Sequence, residues 1–155
     1  MVGNMHVSPV AGALGAEISG VDLNQVSDQV IKDIRSALLK HGVIFFRDQD
    51  LTPESQTTFA RRFGPLNRHP YVTGMDGHPD VFLIVKEPED KHHFGNSWHT
   101  DLAYAEYPAM ATILYGLDVP DAGGDTMFLS QAAAYEALSD GMKTMLSDLK
   151  VVNTN

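Results

Sequence analysis

The sequence contains no cysteine. That absence removes disulfides, zinc ribbons, iron–sulfur ligation and thiol nucleophiles together, so any transition metal must be held by histidine and carboxylate. No apolar run approaches the roughly 18 residues that a membrane helix needs. The start, Met1-Val2-Gly3-Asn4-Met5-His6, has neither the basic nor the apolar region of a secretory signal. Basic residues are scarce: 11 Lys and Arg against 20 Asp and Glu, a net charge of −9. Such a chain repels polyphosphate over much of its surface, which argues against nucleic acid or an anionic membrane as a partner. A local cluster of donors can still hold a small anion. Internal repeats and low-complexity stretches are also missing. What remains is ordinary for a globular chain: 155 residues, 43% hydrophobic and 20% charged, with 13 Gly and 8 Pro. That excludes wholesale disorder, collagen and coiled coil, and predicts one soluble, cytoplasmic domain with a modest core.

Punctuation along the chain predicts its elements. The glycine-rich opening, Pro9 to Leu23, reads as short strands and turns. Ser27 is placed to cap a helix, with Val26 and Ile31 at the offset of a hydrophobic staple. Val30, Ile31, Ile34, Ala37 and Leu38 recur at helical spacing, and Gly42 ends the helix at about Lys40. Val43 to Phe46 reads as a buried strand. Thr52-Pro53-Glu54 starts a second helix, with Phe59, Ala60 and Phe63 on its apolar face and Gly64-Pro65 as its stop. Strands are predicted at Val81–Val85, Ala111–Leu117 and Thr126–Leu129. Helices are predicted from Ser130 through Leu138 and from Ser139 through about Leu149. The chain stops at Val151-Val152-Asn153-Thr154-Asn155 just as a β-type run begins. Trp98, Phe45, Phe46 and Phe82 are expected in the core.

The sharpest local signal is His99-Thr100-Asp101. On an extended backbone, residues two apart project to the same face, about 6.6 Å apart at Cα. An imidazole and a carboxylate so placed can converge on one ion with bonds of roughly 2.0–2.2 Å. Imidazole plus carboxylate with open positions is the ligand set of non-haem Fe(II) oxygenases. A bare His-x-Asp also arises often by chance, so the pair alone leaves a metal site and a coincidence both open. His92-His93 invites a metal reading too, but adjacent residues point to opposite faces, and a solvated loop accounts for both.

Context extends the pair. Trp98-His99-Thr100-Asp101, then Pro108, Gly123-Gly124-Asp125-Thr126 and Ala134-Tyr135-Glu136-Ala137-Leu138 closely resemble the taurine / 2,4-dichlorophenoxyacetate family of 2-oxoglutarate-dependent dioxygenases. Upstream, Gly15 to Leu23, His41 to Gln49 and Arg62-Phe63-Gly64-Pro65-Leu66 are similar to that family as well. The resemblance runs in unbroken order from about Pro9 to Leu149. It implies a mainly β or α+β fold, the double-stranded β-helix (jelly-roll-like) of these oxygenases with flanking helices. Residues 1–155 would form the N-terminal part of that single domain.

The resemblance also implies site residues. His99 and Asp101 match two of three protein ligands of Fe(II), and Thr126 matches a threonine that contacts a carboxylate of the co-substrate 2-oxoglutarate. His69 matches a substrate-side histidine, and Tyr71 and Asn96 fall near substrate-lining positions. Without the resemblance, Thr126 reads first as a β-branched strand residue, and His69 is as readily an ordinary loop histidine. The implied reaction uses O2 to hydroxylate a small organic anion, taurine- or alkylsulfonate-like, with release of succinate and CO2. Hydroxylation beside a sulfonate or an ether oxygen leaves an unstable product that falls apart.

Two family elements have no counterpart here. The third ligand is a histidine and the 2-oxoglutarate site needs an arginine, both well downstream of the His-x-Asp. In this chain no histidine follows His99, and the last arginine is Arg68. The expectation is therefore a C-terminally truncated chain, incomplete and inactive alone, with a genuine short paralogue as the alternative. Two rival functions stay open at this point: a noncatalytic remnant of the fold that serves as a binding or homo-oligomerisation module, and a zinc hydrolase using His99 and Asp101 with another histidine.

Overall fold

Apolar residues three and four apart build the helix around which the first unit is organised. In the computed structural model, which describes residues 4–68, 71–91, 95 and 97–153, this helix, α1, spans Asp28–His41. The Ser27 hydroxyl accepts from the Val30 amide at 3.3 Å, meeting one of the four amides that a helix start leaves without a partner. Gly42 closes the helix with φ of 72°, a left-handed conformation that glycine adopts at no steric cost, and its amide donates to the Leu38 carbonyl.

Three strands accompany α1: β1 (His6–Pro9), β2 (Ala16–Ser19) and β3 (Ile44–Phe46), in the spatial order β1-β2-β3. β1 and β2 run antiparallel, with His6 opposite Ser19. β2 and β3 run parallel, with Ala16 opposite Ile44, and parallel neighbours need a crossover. α1 is that crossover. Alternation along β2 sends Ala16 and Ile18 inward, where they are fully buried with Ile34. Leu23, Ile31, Ala37 and Leu51 complete the buried set of this unit. Glu17, on the other face, pairs with Arg47 at 3.4 Å.

The first unit comprises residues 1–51 and 116–150, the second 52–115 and 151–155. In the second, α2 (Pro53–Arg61) opens with a reciprocal cap. The Ser55 amide donates to the Thr52 hydroxyl at 3.1 Å, and the Thr52 amide donates to the Ser55 hydroxyl at 3.0 Å. Phe59 is buried and meets Phe63 edge-on at 5.2 Å. Back in the first unit, α3 (Gln131–Glu136) and α4 (Asp140–Leu146) carry the expected serine caps, Ser130 and Ser139. Both end earlier than the sequence suggests. Ser139 must leave helical geometry to cap α4, and the Ser147 hydroxyl turns back on the Thr144 carbonyl at 2.8 Å.

Other expectations fail. Among the described residues, Val81–Val85, Ala111–Leu117 and Thr126–Leu129 join no β ladder, and neither do Val151 and Val152. A strand exists only through a ladder of backbone hydrogen bonds with a neighbour, and the bonds of Val81 with Met75 and His78 make a local turn, not a ladder. Several of these segments' apolar side chains, Leu83, Val85, Leu114 and Met127 among them, are exposed. Trp98 is not core but 63% exposed, and Phe45, Phe46 and Phe82 are half-buried.

The turn after α2 is held by charge. Asp80 accepts from Arg68 Nε at 2.8 Å and from an Arg61 terminal nitrogen at 3.3 Å, and its side chain is only 14% exposed. The hydrogen bond from Arg68 is the main cause holding the Asp80 carboxyl below its ordinary range; burial opposes it, and the positive charges of Arg68 and Arg61 with the hydrogen bond from Arg61 keep the net direction downward. Gly74 lies so close to the Pro79 carbonyl that a Cβ there would collide with backbone.

Two outcomes follow from this packing. Ile34→Ala empties a fully buried site and should destabilise the protein by about 2–5 kcal/mol in denaturant titrations; a loss under about 1 kcal/mol would contradict the core described. Asp80→Asn should destabilise at neutral pH. A carboxyl whose folded pKa is depressed contributes stability that is present above its unfolded pKa and is lost as pH falls through the folded one. The difference from wild type should therefore shrink below about pH 4. A difference that stays constant through that range would remove the clamp.

Candidate metal centre

The loop that carries His99 and Asp101 is shaped by backbone turns on both sides. Before it, Gly95 has φ of 73°, and a Cβ there would reach 3.4 Å from the His99 Cε1. After it, Leu102 has φ of 52°, a left-handed conformation that costs a residue with a Cβ roughly 1–2 kcal/mol. The Ala105 amide then donates to the Leu102 carbonyl at 2.9 Å. The chain turns sharply directly after Asp101, and nothing about a leucine in sequence marks that.

His99 Nε2 and Asp101 Oδ1 lie 3.2 Å apart, and both side chains are about half exposed. His99 Nδ1 is 2.7 Å from the Ser97 carbonyl. A carbonyl only accepts, so Nδ1 carries the proton and, in the neutral ring, the lone pair is on Nε2. On the other side, the Thr112 hydroxyl donates to Asp101 Oδ2 at 2.7 Å. Oδ1 is left to face the imidazole. Thr112 is anchored in turn through its neighbour, because Gln56 of α2 donates to the Ile113 carbonyl at 3.2 Å.

This arrangement suits a divalent ion. Two donors each about 2.1 Å from one ion, at right angles, are about 3 Å apart, close to the separation found. A backbone carbonyl on the far ring nitrogen is the usual way a ligating histidine is oriented. Among the described residues no third His, Asp or Glu joins the pair. The pair alone would hold an ion only weakly.

Comparison with known proteins decides the family. The model of the taurine catabolism dioxygenase TauD, TfdA family matches residues 6–155. The chain belongs to that family. It is 37% identical over 153 residues to an alpha-ketoglutarate-dependent sulfate ester dioxygenase of Pseudomonas putida, covering 97% of this chain and 50% of that one. A taurine dioxygenase crystal structure from Burkholderia xenovorans superposes with a TM-score of 0.81 at 38% identity, over 93% of this chain and 51% of that one. The structure of AAD-2 in complex with Mn(II) and N-oxalylglycine superposes with a TM-score of 0.67 at 25% identity, over 94% and 50%. The chain spans about half the length of the curated relatives it matches.

Within this TauD/TfdA chain, His99, Asp101 and Tyr71 fall in the second unit and Thr126 in the first. Tyr71 is exposed, its ring 6.3 Å from that of Tyr104 and tilted by 43°. Thr126 lies two residues before Phe128, which meets Phe45 of β3 edge-on at 6.4 Å. His69, Asn96, His92 and His93 lie outside the described residues. Sequence reading missed Ser97, Thr112 and Gln56. None carries a signal in sequence, because each acts through a contact that only the folded loop creates.

Proposed function

We propose that the protein carrying this chain is an Fe(II)- and 2-oxoglutarate-dependent dioxygenase that hydroxylates a small organic anion of the sulfonate or sulfate-ester class. The observation that carries this is the His99–Asp101 pair, with donor atoms 3.2 Å apart on a TauD/TfdA chain. The name of the Pseudomonas putida relative supports the substrate class.

His99 would offer the Nε2 lone pair and Asp101 one carboxylate oxygen, the negative charge favouring a divalent cation. When bound, the ferrous ion supplies the redox centre at which 2-oxoglutarate and O2 are converted to succinate and CO2, with one oxygen atom going to the substrate. Thr126 would donate its hydroxyl to a 2-oxoglutarate carboxylate. His69 would donate an N–H to the substrate oxyanion, and Tyr71 and Asn96 would contact the substrate. The third ligand and an arginine for 2-oxoglutarate would come from the part of the family's length that this chain does not span. Strands from that part would pair with the segments at 81–85, 111–117 and 126–129, which join no β ladder among the described residues, and complete a double-stranded β-helix. No helix among the described residues is long and apolar enough to cross a membrane, which is in keeping with a cytoplasmic enzyme.

His99→Ala and Asp101→Ala should each abolish substrate-dependent succinate release by the complete, iron-loaded protein. Near-wild-type turnover by either would refute the ligand assignment. His69→Ala should raise KM for the anionic substrate by about 10–100-fold, the worth of a hydrogen bond to a charged group, and leave KM for 2-oxoglutarate nearly unchanged. A neutral compound emerging as the preferred substrate from an unbiased screen would overturn the substrate class.

A further inference from the structure

A carboxylate that ligates through one oxygen is free to rotate about its Cβ–Cγ bond unless the second oxygen is held. If it rotates, the ligating oxygen swings away from the direction of its neighbouring ligand, and the ion loses part of its hold. What holds the second oxygen is therefore a question about function as well as about stability.

In this chain the second oxygen is held. The Thr112 hydroxyl donates to Asp101 Oδ2 at 2.7 Å, a short bond to a charged acceptor and so among the stronger kinds. Oδ1 is left 3.2 Å from His99 Nε2. The hydroxyl does not ride on a free loop, because Gln56 of the capped helix α2 donates to the next carbonyl along, that of Ile113, at 3.2 Å. The Ser97 carbonyl performs the matching task for His99 at 2.7 Å. Each of the two donors is thus oriented from behind by one group of the same unit.

We propose that Thr112 is a positioning residue of the metal centre, whose hydroxyl holds Asp101 Oδ2 and so keeps Oδ1 turned toward His99. This rests on the metal-centre reading above. Thr112→Val removes the hydroxyl at constant shape, and Thr112→Ser keeps a hydroxyl while removing a methyl group.

The test is anaerobic Mn(II) titration of the complete protein, with free Mn(II) followed by electron paramagnetic resonance and folding followed by far-UV circular dichroism. Thr112→Val should bind Mn(II) about 10–100-fold more weakly than wild type, the usual loss when the partner behind a ligand is removed, while Thr112→Ser stays close to wild type. If Thr112→Val does not fold, Thr112→Ala takes its place with the same expectation. Binding by the hydroxyl-less variant as tight as wild type, or a loss as large in Thr112→Ser, overturns the proposal. His99→Ala separates the two levels. If it leaves Mn(II) binding intact, the metal-centre reading has failed; if it abolishes binding while Thr112→Val does not weaken it, only the role of Thr112 has failed.

Discussion

The Asp101 carboxylate sits between an imidazole nitrogen 3.2 Å from one oxygen and a hydroxyl that donates to the other at 2.7 Å, and the loop of the second unit is arranged around that carboxylate. The Thr112 hydroxyl reaches it because Gln56 tethers the adjoining backbone to α2, and α2 starts where it does because Thr52 and Ser55 cap it reciprocally. His99 presents Nε2 because the Ser97 carbonyl claims the proton of Nδ1. Leu102 accepts a left-handed backbone directly after the pair, a local cost of the kind found where surrounding contacts over-determine a functional residue. Side chains on an exposed loop would ordinarily sample many rotamers, and each of these bonds removes some of that freedom before any ion arrives.

The two units are held by different physics. The first rests on burial: α1 lays Ile31, Ile34 and Ala37 against β2, where Ala16 and Ile18 face inward. In the second, Phe59 is the one described residue fully withdrawn from solvent, and polar contacts set the turns. Asp80 between Arg61 and Arg68, and Gln56 on the Ile113 carbonyl, are directional bonds with little apolar burial beneath them. Directional bonds suit a site, because they set orientation as well as distance. They add less net stability than a core does, since water competes for every partner.

Exposed apolar side chains at Leu83, Val85, Leu114 and Met127 fall on the segments that read as strands in the sequence but join no ladder. β-branched and aliphatic runs of this kind suit a pleated surface packed on one or both faces. The chain matches its relatives over about half of their length.

Local signals were legible in the sequence wherever the physics is local. Ser27, Thr52, Ser130 and Ser139 were readable as caps because a cap bonds to an amide within a few residues, and Gly42 was readable as a stop because only a short stretch of backbone is involved. His99 and Asp101 were readable as a pair because two-residue spacing on extended chain sets their common face. Pairing, exposure and orientation were decided elsewhere. Trp98 reads as core by composition and is exposed, and three apolar runs read as strands and join no β ladder among the described residues, because burial and ladders depend on segments distant in the chain. Thr112 is eleven residues from Asp101 and looks like any strand threonine; its hydroxyl acquires a task only when the tertiary fold brings it within 2.7 Å of a carboxylate.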